Sequence, residues 1–350
     1  MASKPEQNEF PGGSKQRVSN AGAAVRAGTA SFEDYVVIER WRAAHRAVLN
    51  TFQAILRNRT RGSGIIVAQR HKRRNTIFGK LRRFPTMLLA RMDDVAGCRL
   101  IFPDTQSLYE FRHKLHAANF QHQLRNQPDK YDYIKHPKDT GYRGVHDVYI
   151  YNVNSLHGRA YKGLLIELQY RTRYQHAWAT AVEVVGFITE SQPKFRQGDK
   201  RFELALSLAS EIIARTFEDS NSCHADLSDE KLVDTFLQID GELGFMRMLR
   251  ALNSANSEVT EKKNVILIFG ENDNPDDKLK TLSYRDATDA LRALFQLEKE
   301  NPGKDIVLVK ADSSDDVRIA FKNYFSDATD FIQLIDEGCK KLVGSRVMKL

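Results

Sequence analysis

Two acidic positions far apart in the chain are the residues best suited to chemistry. They are the Asp93-Asp94 pair, which opens the run DVAGCRLIF, and Glu167 within GLLIELQYRT. Two carboxylates projecting from neighbouring strands can hold Mg²⁺, which takes one or two protein carboxylates and completes its sphere with water and substrate phosphates. Glu167 has a second use open to it, as the base that accepts a hydroxyl proton. Asp93 or Asp94 could equally be a turn residue at the head of a strand. Period-two alternation over Leu164–Arg171 puts Glu167, Gln169 and Arg171 on one face and Ile166, Leu168 and Tyr170 on the other. The plainer reading of that strand is an antiparallel one with a solvated polar side.

Cations suited to phosphate crowd the sequence ahead of these carboxylates. Arg70-His71-Lys72-Arg73-Arg74 is followed by Lys80 and by Arg82-Arg83. Such neighbours repel one another unless water or an anion lies among them. Arginine forks phosphate oxygens, and lysine serves as a point charge. A basic surface for solubility is the alternative. No GxxxxGK[ST] loop is present, which excludes a P-loop protein. A third group surrounds the turn Gly141-Tyr142-Arg143-Gly144, with Lys138 and His146 beside it. A tyrosine on an open turn can stack on a nucleobase, although turn tyrosines also serve packing. His146-Asp147 spells the dipeptide of HD-type metal hydrolases, but the further histidines and the distant aspartate that such a site needs are not supplied. Together these groups specify phosphoryl-type transfer from a nucleoside triphosphate, with Mg²⁺ between two carboxylates and cations on the phosphates.

The elements that must position them follow from periodicity. Residues 1–30, rich in Ser, Gly, Ala and Lys, read as a loose arm with a short helix over Ser19–Arg26. A firm helix begins after Ser31, with Asp34 in capping-box spacing. Tyr35, Ile38, Trp41, His45, Leu49, Phe52 and Leu56 then form its apolar stripe. Val67–Lys80 reads as a strand or loop leading into a helix. Asp94–Phe102 is a buried strand bounded by Pro103, and Ser107–Ala118 a helix. Residues 125–146 form a polar loop that opens into the strands Asp147–Tyr151 and Leu164–Arg171. Tyr174–Ile188 and Arg201–Phe217 are helical. After an acidic, polar linker at 218–229 come a helix (Glu230–Leu252), a strand (Asn264–Phe269), a helix (Tyr284–Glu298), a strand (Asp305–Val309) and a long last helix (Asp315–Leu342). The expectation is an α/β (α+β) protein: an arm at 1–30, a mixed-sheet domain flanked by helices at 31–219, and a small C-terminal α/β module at 220–350.

Composition is that of a soluble globular protein, with a hydrophobic share of 41% and a charged share of 28%. No apolar run nears the roughly 18 residues that span a bilayer, and no signal-peptide pattern opens the chain. Cys98, Cys223 and Cys339 are odd in number and widely separated, which indicates neither a zinc site nor a disulfide framework. A reducing cytoplasm is the expected location. The net charge of +8 hides a division: residues 1–200 hold 33 Lys/Arg against 17 Asp/Glu, and residues 201–350 hold 20 against 28. Residues 51–100 alone carry 12 basic and 2 acidic side chains. Such asymmetry suits a first half that binds polyanions and an acidic second half able to screen it.

Four motifs in order give these residues a resemblance. Arg70, Lys72, Thr76 and Lys80, then Asp94 to Arg99 (DVAGCR), Pro137 to His146 (PKDTGYRGVH) and Glu167 to Thr172 (ELQYRT) resemble the RelA/SpoT-type alarmone synthetases over roughly residues 15–200. The resemblance implies a synthetase domain related to nucleotidyltransferases, which moves pyrophosphate from ATP to the 3′-hydroxyl of GDP or GTP and releases AMP. Carried over, Arg70, Lys72 and Lys80 contact ATP, with Thr76 near its phosphates. Asp94 binds Mg²⁺, and Glu167 joins it there or activates the acceptor hydroxyl. Tyr142 stacks on the acceptor base with Lys138 and His146 nearby, while Arg99, Gln169 and Arg171 play supporting parts. The chain departs from the pattern at Thr140, where many members carry asparagine. It departs again at Asp129 and Tyr131, which leave only Lys130 as a cation for the acceptor's phosphates. These departures keep other acceptors open: the 3′ end of tRNA, which toxic small members modify, or an adenosine nucleotide. No hydrolase half and no long regulatory tail of the bifunctional enzymes is expected. The acidic segment after residue 220 reads either as an antitoxin-like brake docked on the basic face or as an accessory or oligomerisation domain. A catalytically silent RNA-binding module is the non-enzyme alternative.

Overall fold

The computed structural model describes residues 10–191, 200–253, 264–269, 280–284, 287–301, 305–310 and 328–344. Helix α1 (Lys15–Ala27) starts at Ser14, whose hydroxyl accepts the Arg17 N–H at 3.0 Å, and buries Val18, Ala21 and Val25. Residues 15–27, inside the segment read as a loose arm, are therefore helical and packed. Helix α2 (Phe32–Thr60) opens with the expected capping box. The Ser31 hydroxyl accepts the Asp34 N–H at 3.2 Å, and the Asp34 carboxylate accepts the Ser31 N–H at 2.9 Å. Its stripe of Ile38, Trp41, His45, Leu49, Phe52 and Leu56 is buried against the sheet.

The described strands are β1 (Ile66–His71), β2 (Ala96–Phe102), β3 (Gln123–Leu124), β4 (Val145–Ile150), β5 (Leu165–Thr172), β6 (Asn264–Phe269), β7 (Lys280–Tyr284) and β8 (Asp305–Lys310). They form one mixed sheet in the order β3-β4-β5-β2-β1-β8-β6-β7, in which β2 and β5 run parallel and the other neighbours antiparallel. The first five strands carry the candidate site. Their inner face (Val67, Cys98, Leu100, Tyr149, Ile166, Leu168, Tyr170) packs under α1, α2 and α4 (Thr105–His116) in one apolar core. Helix α3 (Arg74–Arg83) follows β1 directly.

The C-terminal part departs from the expected alternation of single helices and strands. Strands β6, β7 and β8 are antiparallel, and β8 joins the edge of β1 through the pairs Gln69↔Lys310 and Arg70↔Val309. Lys280–Tyr284 is a strand, so helix α9 (Ala287–Glu300) starts later than the periodicity suggests. The predicted helix over Glu230–Leu252 is two, α7 (Asp229–Leu243) and α8 (Phe245–Asn253). They are separated at Gly244, whose φ of 64° is left-handed and open to glycine at little cost. Of the predicted last helix, Thr329–Val343 is α10, and residues 315–327 lie outside the described residues. Helices α5 (Arg173–Ser191), α6 (Lys200–Phe217), α7, α8 and α10 share a second core around Trp178, Ile212, Phe236 and Phe331. No helix among the described residues is long and apolar enough to cross a membrane.

Candidate active site

Strand register assembles the site. Paired residues in adjacent strands face the same side. One cross-strand row holds Arg70, Gly97, Glu167 and Val148, and the next holds Ala68, Arg99, Gln169 and His146. Glu167, Gln169 and Arg171 share a face, as alternation predicts. Gly97 leaves a gap between Arg70 and Glu167: a Cβ there would come no closer than 3.8 Å to another atom. In the sequence Gly97 stands within the DVAGCR motif without a role of its own, although glycine inside a strand signals close approach by a backbone or ligand.

At one end of the face the cations meet the aspartates. Lys72 Nζ lies 2.7 Å from Asp94 Oδ2, and Lys80 Nζ lies 3.0 Å from the same oxygen and 3.9 Å from Asp93 Oδ1. Burial lowers the Lys72 pKa, with the Asp94 charge working against that shift. Burial raises the Asp93 carboxyl; Lys80 opposes this, and the Asp94 and Glu167 charges add to it. The three carboxylates and Lys80 thus share one electrostatic neighbourhood. Asp94 Oδ1 is buried without a hydrogen-bond partner, an oxygen left open to a cation. Among the described residues no trio of His, Cys, Asp or Glu forms a cage of its own. One or two carboxylates beside lysines nevertheless match what Mg²⁺ requires when phosphates complete its sphere. The basic run itself divides by alternation. His71 turns into the core, where Nε2 bonds the Arg42 carbonyl at 2.8 Å and burial holds its pKa well below the usual histidine value. Thr76 sits half-buried in the first turn of α3, where free N–H groups favour anions.

The other end is a hydrogen-bonded chain. The Tyr142 hydroxyl lies 2.5 Å from His146 Nε2, His146 Nδ1 lies 2.7 Å from Glu167 Oε1, and Gln169 Nε2 donates to Glu167 Oε2 at 2.8 Å. Burial would raise the Glu167 pKa, but His146, Gln169 and Lys80 hold it at about 2. Burial likewise opposes charge on His146, yet Tyr142 and Glu167 raise its pKa to about 9. For Tyr142, burial is outweighed by the Arg171 and His146 charges, which bring it to about 8. Glu167 and His146 thus each favour the charged form of the other.

The Tyr142 turn is less open than the sequence suggested. The ring packs edge-on to Trp178 and Tyr133, and Lys138 Nζ lies 5.2 Å from its centroid and 4.2 Å from that of Tyr133. Tyr133 and Trp178 carried no motif that would have singled them out. Arg171 is buried, with Nη2 on the Tyr142 hydroxyl at 3.2 Å while Nε and Nη1 have no hydrogen-bond partner. Arg99, in the same row as Gln169, is also buried. The HD dipeptide splits across the sheet. His146 belongs to the site face, while Asp147 is fully buried on the opposite face, bound by Arg112 at 2.8 and 3.0 Å and by His116 at 2.7 Å. The two cannot share a metal.

Residues 69–185 match the protein-family model described as the region found in RelA/SpoT proteins. The GTP pyrophosphokinase YjbM of Bacillus subtilis is 26% identical over 156 residues, which are 44% of this chain and 69% of that protein. The uncharacterized protein Rv1366 of Mycobacterium tuberculosis is 32% identical over 123 residues, 35% of this chain and 40% of that protein. Small alarmone synthetase 1 of Bacillus subtilis, solved with its product pppGpp, has 24% identity and a TM-score of 0.43, over 59% of this chain and 97% of that one. The same synthetase solved with AMPCPP has 19% identity and a TM-score of 0.38 over the same shares. Residues 69–185 are thus a RelA/SpoT synthetase-type domain, with alarmone synthetases among its relatives.

Proposed function

We propose that this chain transfers pyrophosphate from ATP to the 3′-hydroxyl of a guanine nucleotide, GDP or GTP, in a Mg²⁺-dependent reaction that releases AMP. The acceptor oxygen attacks the β-phosphorus, the bond from that phosphorus to the α-phosphate oxygen breaks, and the hydroxyl proton leaves to solvent or a carboxylate. The observation that carries this reading is the single sheet face on which Arg70, Gly97 and Glu167 stand in one row, with Lys72, Lys80 and Asp94 joined at its end.

Asp94, through its unpartnered Oδ1, and Glu167 are the residues that would hold the metal. Bound there, Mg²⁺ supplies charge neutralisation on the triphosphate. Lys72 and Lys80 exchange Asp94 for phosphate oxygens, Arg70 forks a further phosphate, and Thr76 lies at the helix start beside them. Glu167, held near pKa 2, is a weak base and suits a ligand's role better than a proton acceptor's. Tyr142 and Lys138 receive the acceptor base. Arg171, with two unpartnered N–H groups, is the cation best placed to replace those missing around Tyr131.

A second reading, transfer to the 3′ end of tRNA, draws on the same scarcity of cations: Lys135 is occupied by Asp129 at 3.2 Å. In either reading residues 31–219 are the synthetase and 220–350 an accessory part that contacts it. Arg42 forks Glu298 of α9 at 2.6 and 3.0 Å, a contact through which the C-terminal part could restrain the enzyme. The test supplies ATP labelled in its β and γ phosphates with GDP, GTP, ATP or deacylated tRNA. Label on GDP or GTP together with AMP is the expected result; label on tRNA alone selects the second reading, and an unlabelled set of acceptors rejects both.

A further inference from the structure

The turn that carries Tyr142 is held from behind by residues beyond the matched region 69–185. Arg143 is buried, and its Nη1 stands 2.5 Å from Oε2 of the equally buried Glu218, close in distance though bent from a straight N–H···O line. Glu218 follows directly on α6. Its Oε1 accepts from Thr172 Oγ1 at 2.6 Å, Gln175 Nε2 at 3.0 Å and Thr105 Oγ1 at 3.5 Å. One carboxylate therefore joins the turn, the end of β5 and the start of α5. Ser210 of α6 adds a second tie, donating to the Gly141 carbonyl at 2.6 Å and accepting from Arg143 Nε at 3.3 Å. The fit admits only glycine at 141: its φ is +83°, and a Cβ would stand 2.9 Å from Ser207 Cα. Backbone strain marks the same place. Asp219 is the one non-glycine residue among those described with a positive φ, 45°, a conformation L-residues seldom take and that is kept where structure or function requires it.

We propose that Glu218 is a positioning residue for the acceptor nucleotide: by gripping Arg143 it sets the turn and hence the Tyr142 ring. This rests on the assignment of Tyr142 to the acceptor. The effect should fall first on the acceptor side, because Glu218 touches the turn itself and reaches Glu167 from it only through Tyr142 and His146.

The test uses full-length Glu218→Gln and Glu218→Asp. Two readings are taken: KM for GDP and for ATP, and the ring ¹³C resonance of Tyr142, identified by its loss in Tyr142→Phe. In Glu218→Gln the KM for GDP rises tenfold or more, that for ATP stays within twofold, and the Tyr142 resonance moves while those of Tyr149 and Tyr170 do not. Glu218→Asp, which keeps the charge, falls between wild type and Glu218→Gln. An unchanged KM for GDP with an unmoved Tyr142 resonance overturns the proposal, as does an equal rise in both KM values. If Glu218→Gln does not fold, Ser210→Ala carries the same expectations and the same refutations. If the wild-type chain transfers nothing to GDP, the proposed activity fails while the Tyr142 resonance still decides the positioning: its displacement supports the role, its constancy removes it.

Discussion

Asp147→Asn should destabilise the fold by about 3 kcal/mol or more. Asp147 is completely buried, and its two oxygens take Arg112 at 2.8 and 3.0 Å and His116 at 2.7 Å. At these separations the gross attraction of one charge pair is about 6 kcal/mol for an effective dielectric near 20. Desolvation of both ions takes back much of this, so the intact pair adds little net stability. Removing one member is different, because it strands the other charge in the interior at a cost of about 3–5 kcal/mol. Asparagine keeps the shape and one acceptor, which places the expectation at the lower end. The assay is urea unfolding at pH 7 of wild type, Asp147→Asn, Arg112→Met and the double variant. The double variant should be less destabilised than the sum of the singles, with a coupling energy of about 2 kcal/mol or more. pH supplies a second check. Burial would raise the Asp147 pKa, but His116 and Arg112 hold it below its ordinary 3.8. Its contribution is then fully present above pH 3.8 and lost as pH falls through the lower folded value. A cost under about 1 kcal/mol, or additive single effects, would refute the reasoning. A loss of fold without loss of transfer chemistry per folded molecule would also confirm Asp147 as structural rather than a hydrolase ligand.

Other expectations are more directly functional. Glu167→Gln should keep a cooperative melt while kcat falls about 10²-fold or more, because a neutral amide holds the metal less well and the charge stabilisation the metal supplies is worth several kcal/mol; wild-type turnover would remove Glu167 from the mechanism. Tyr142→Ala should raise KM for the acceptor by about 5- to 150-fold, equivalent to the roughly 1–3 kcal/mol of a base–aromatic stack, while Tyr142→Phe retains most of the affinity. Equal values for both variants would assign the effect to the hydroxyl and its His146 bond instead. Glu298→Gln, which takes one of two carboxylates from the fully buried Arg42 and leaves it Glu39 at 3.3 Å and the Lys72 carbonyl at 2.9 Å, should cost about 1.5–3 kcal/mol in unfolding experiments; a change under about 0.5 kcal/mol would show that α9 does not brace α2.

Local rules read well where one residue type had one reason to be where it is. The Ser31–Asp34 box and the stripe from Ile38 to Leu56 follow from helix geometry alone, and the alternation in β5 separates Glu167, Gln169 and Arg171 from the apolar face. The basic run from Arg70 to Arg74 misled by composition: a strand turns alternate residues inward, and His71 lies in the core beside Arg42 and Arg46. Register was beyond reach, because the parallel pairing of Gly97 with Glu167 joins residues 70 positions apart with no intervening turn to fix it. The junction of β8 with β1 was hidden for the same reason, although Asn264–Phe269 and Asp305–Val309 were recognisable as strands. Gly244 did carry a signal for the break between α7 and α8, since glycine past a helix end supplies the left-handed cap. The grip of Glu218 on Arg143 had none: each looks like an ordinary surface charge until folding buries both.

The most direct measurement is phosphorus NMR of the wild-type chain with ATP, Mg²⁺ and GDP. One AMP should appear for each ATP consumed, matched by a new pair of coupled pyrophosphoryl signals on the 3′ position of the guanosine. ADP with inorganic phosphate, or an ATP spectrum that never changes with any acceptor offered, would contradict a pyrophosphate-transfer site on this face of the sheet.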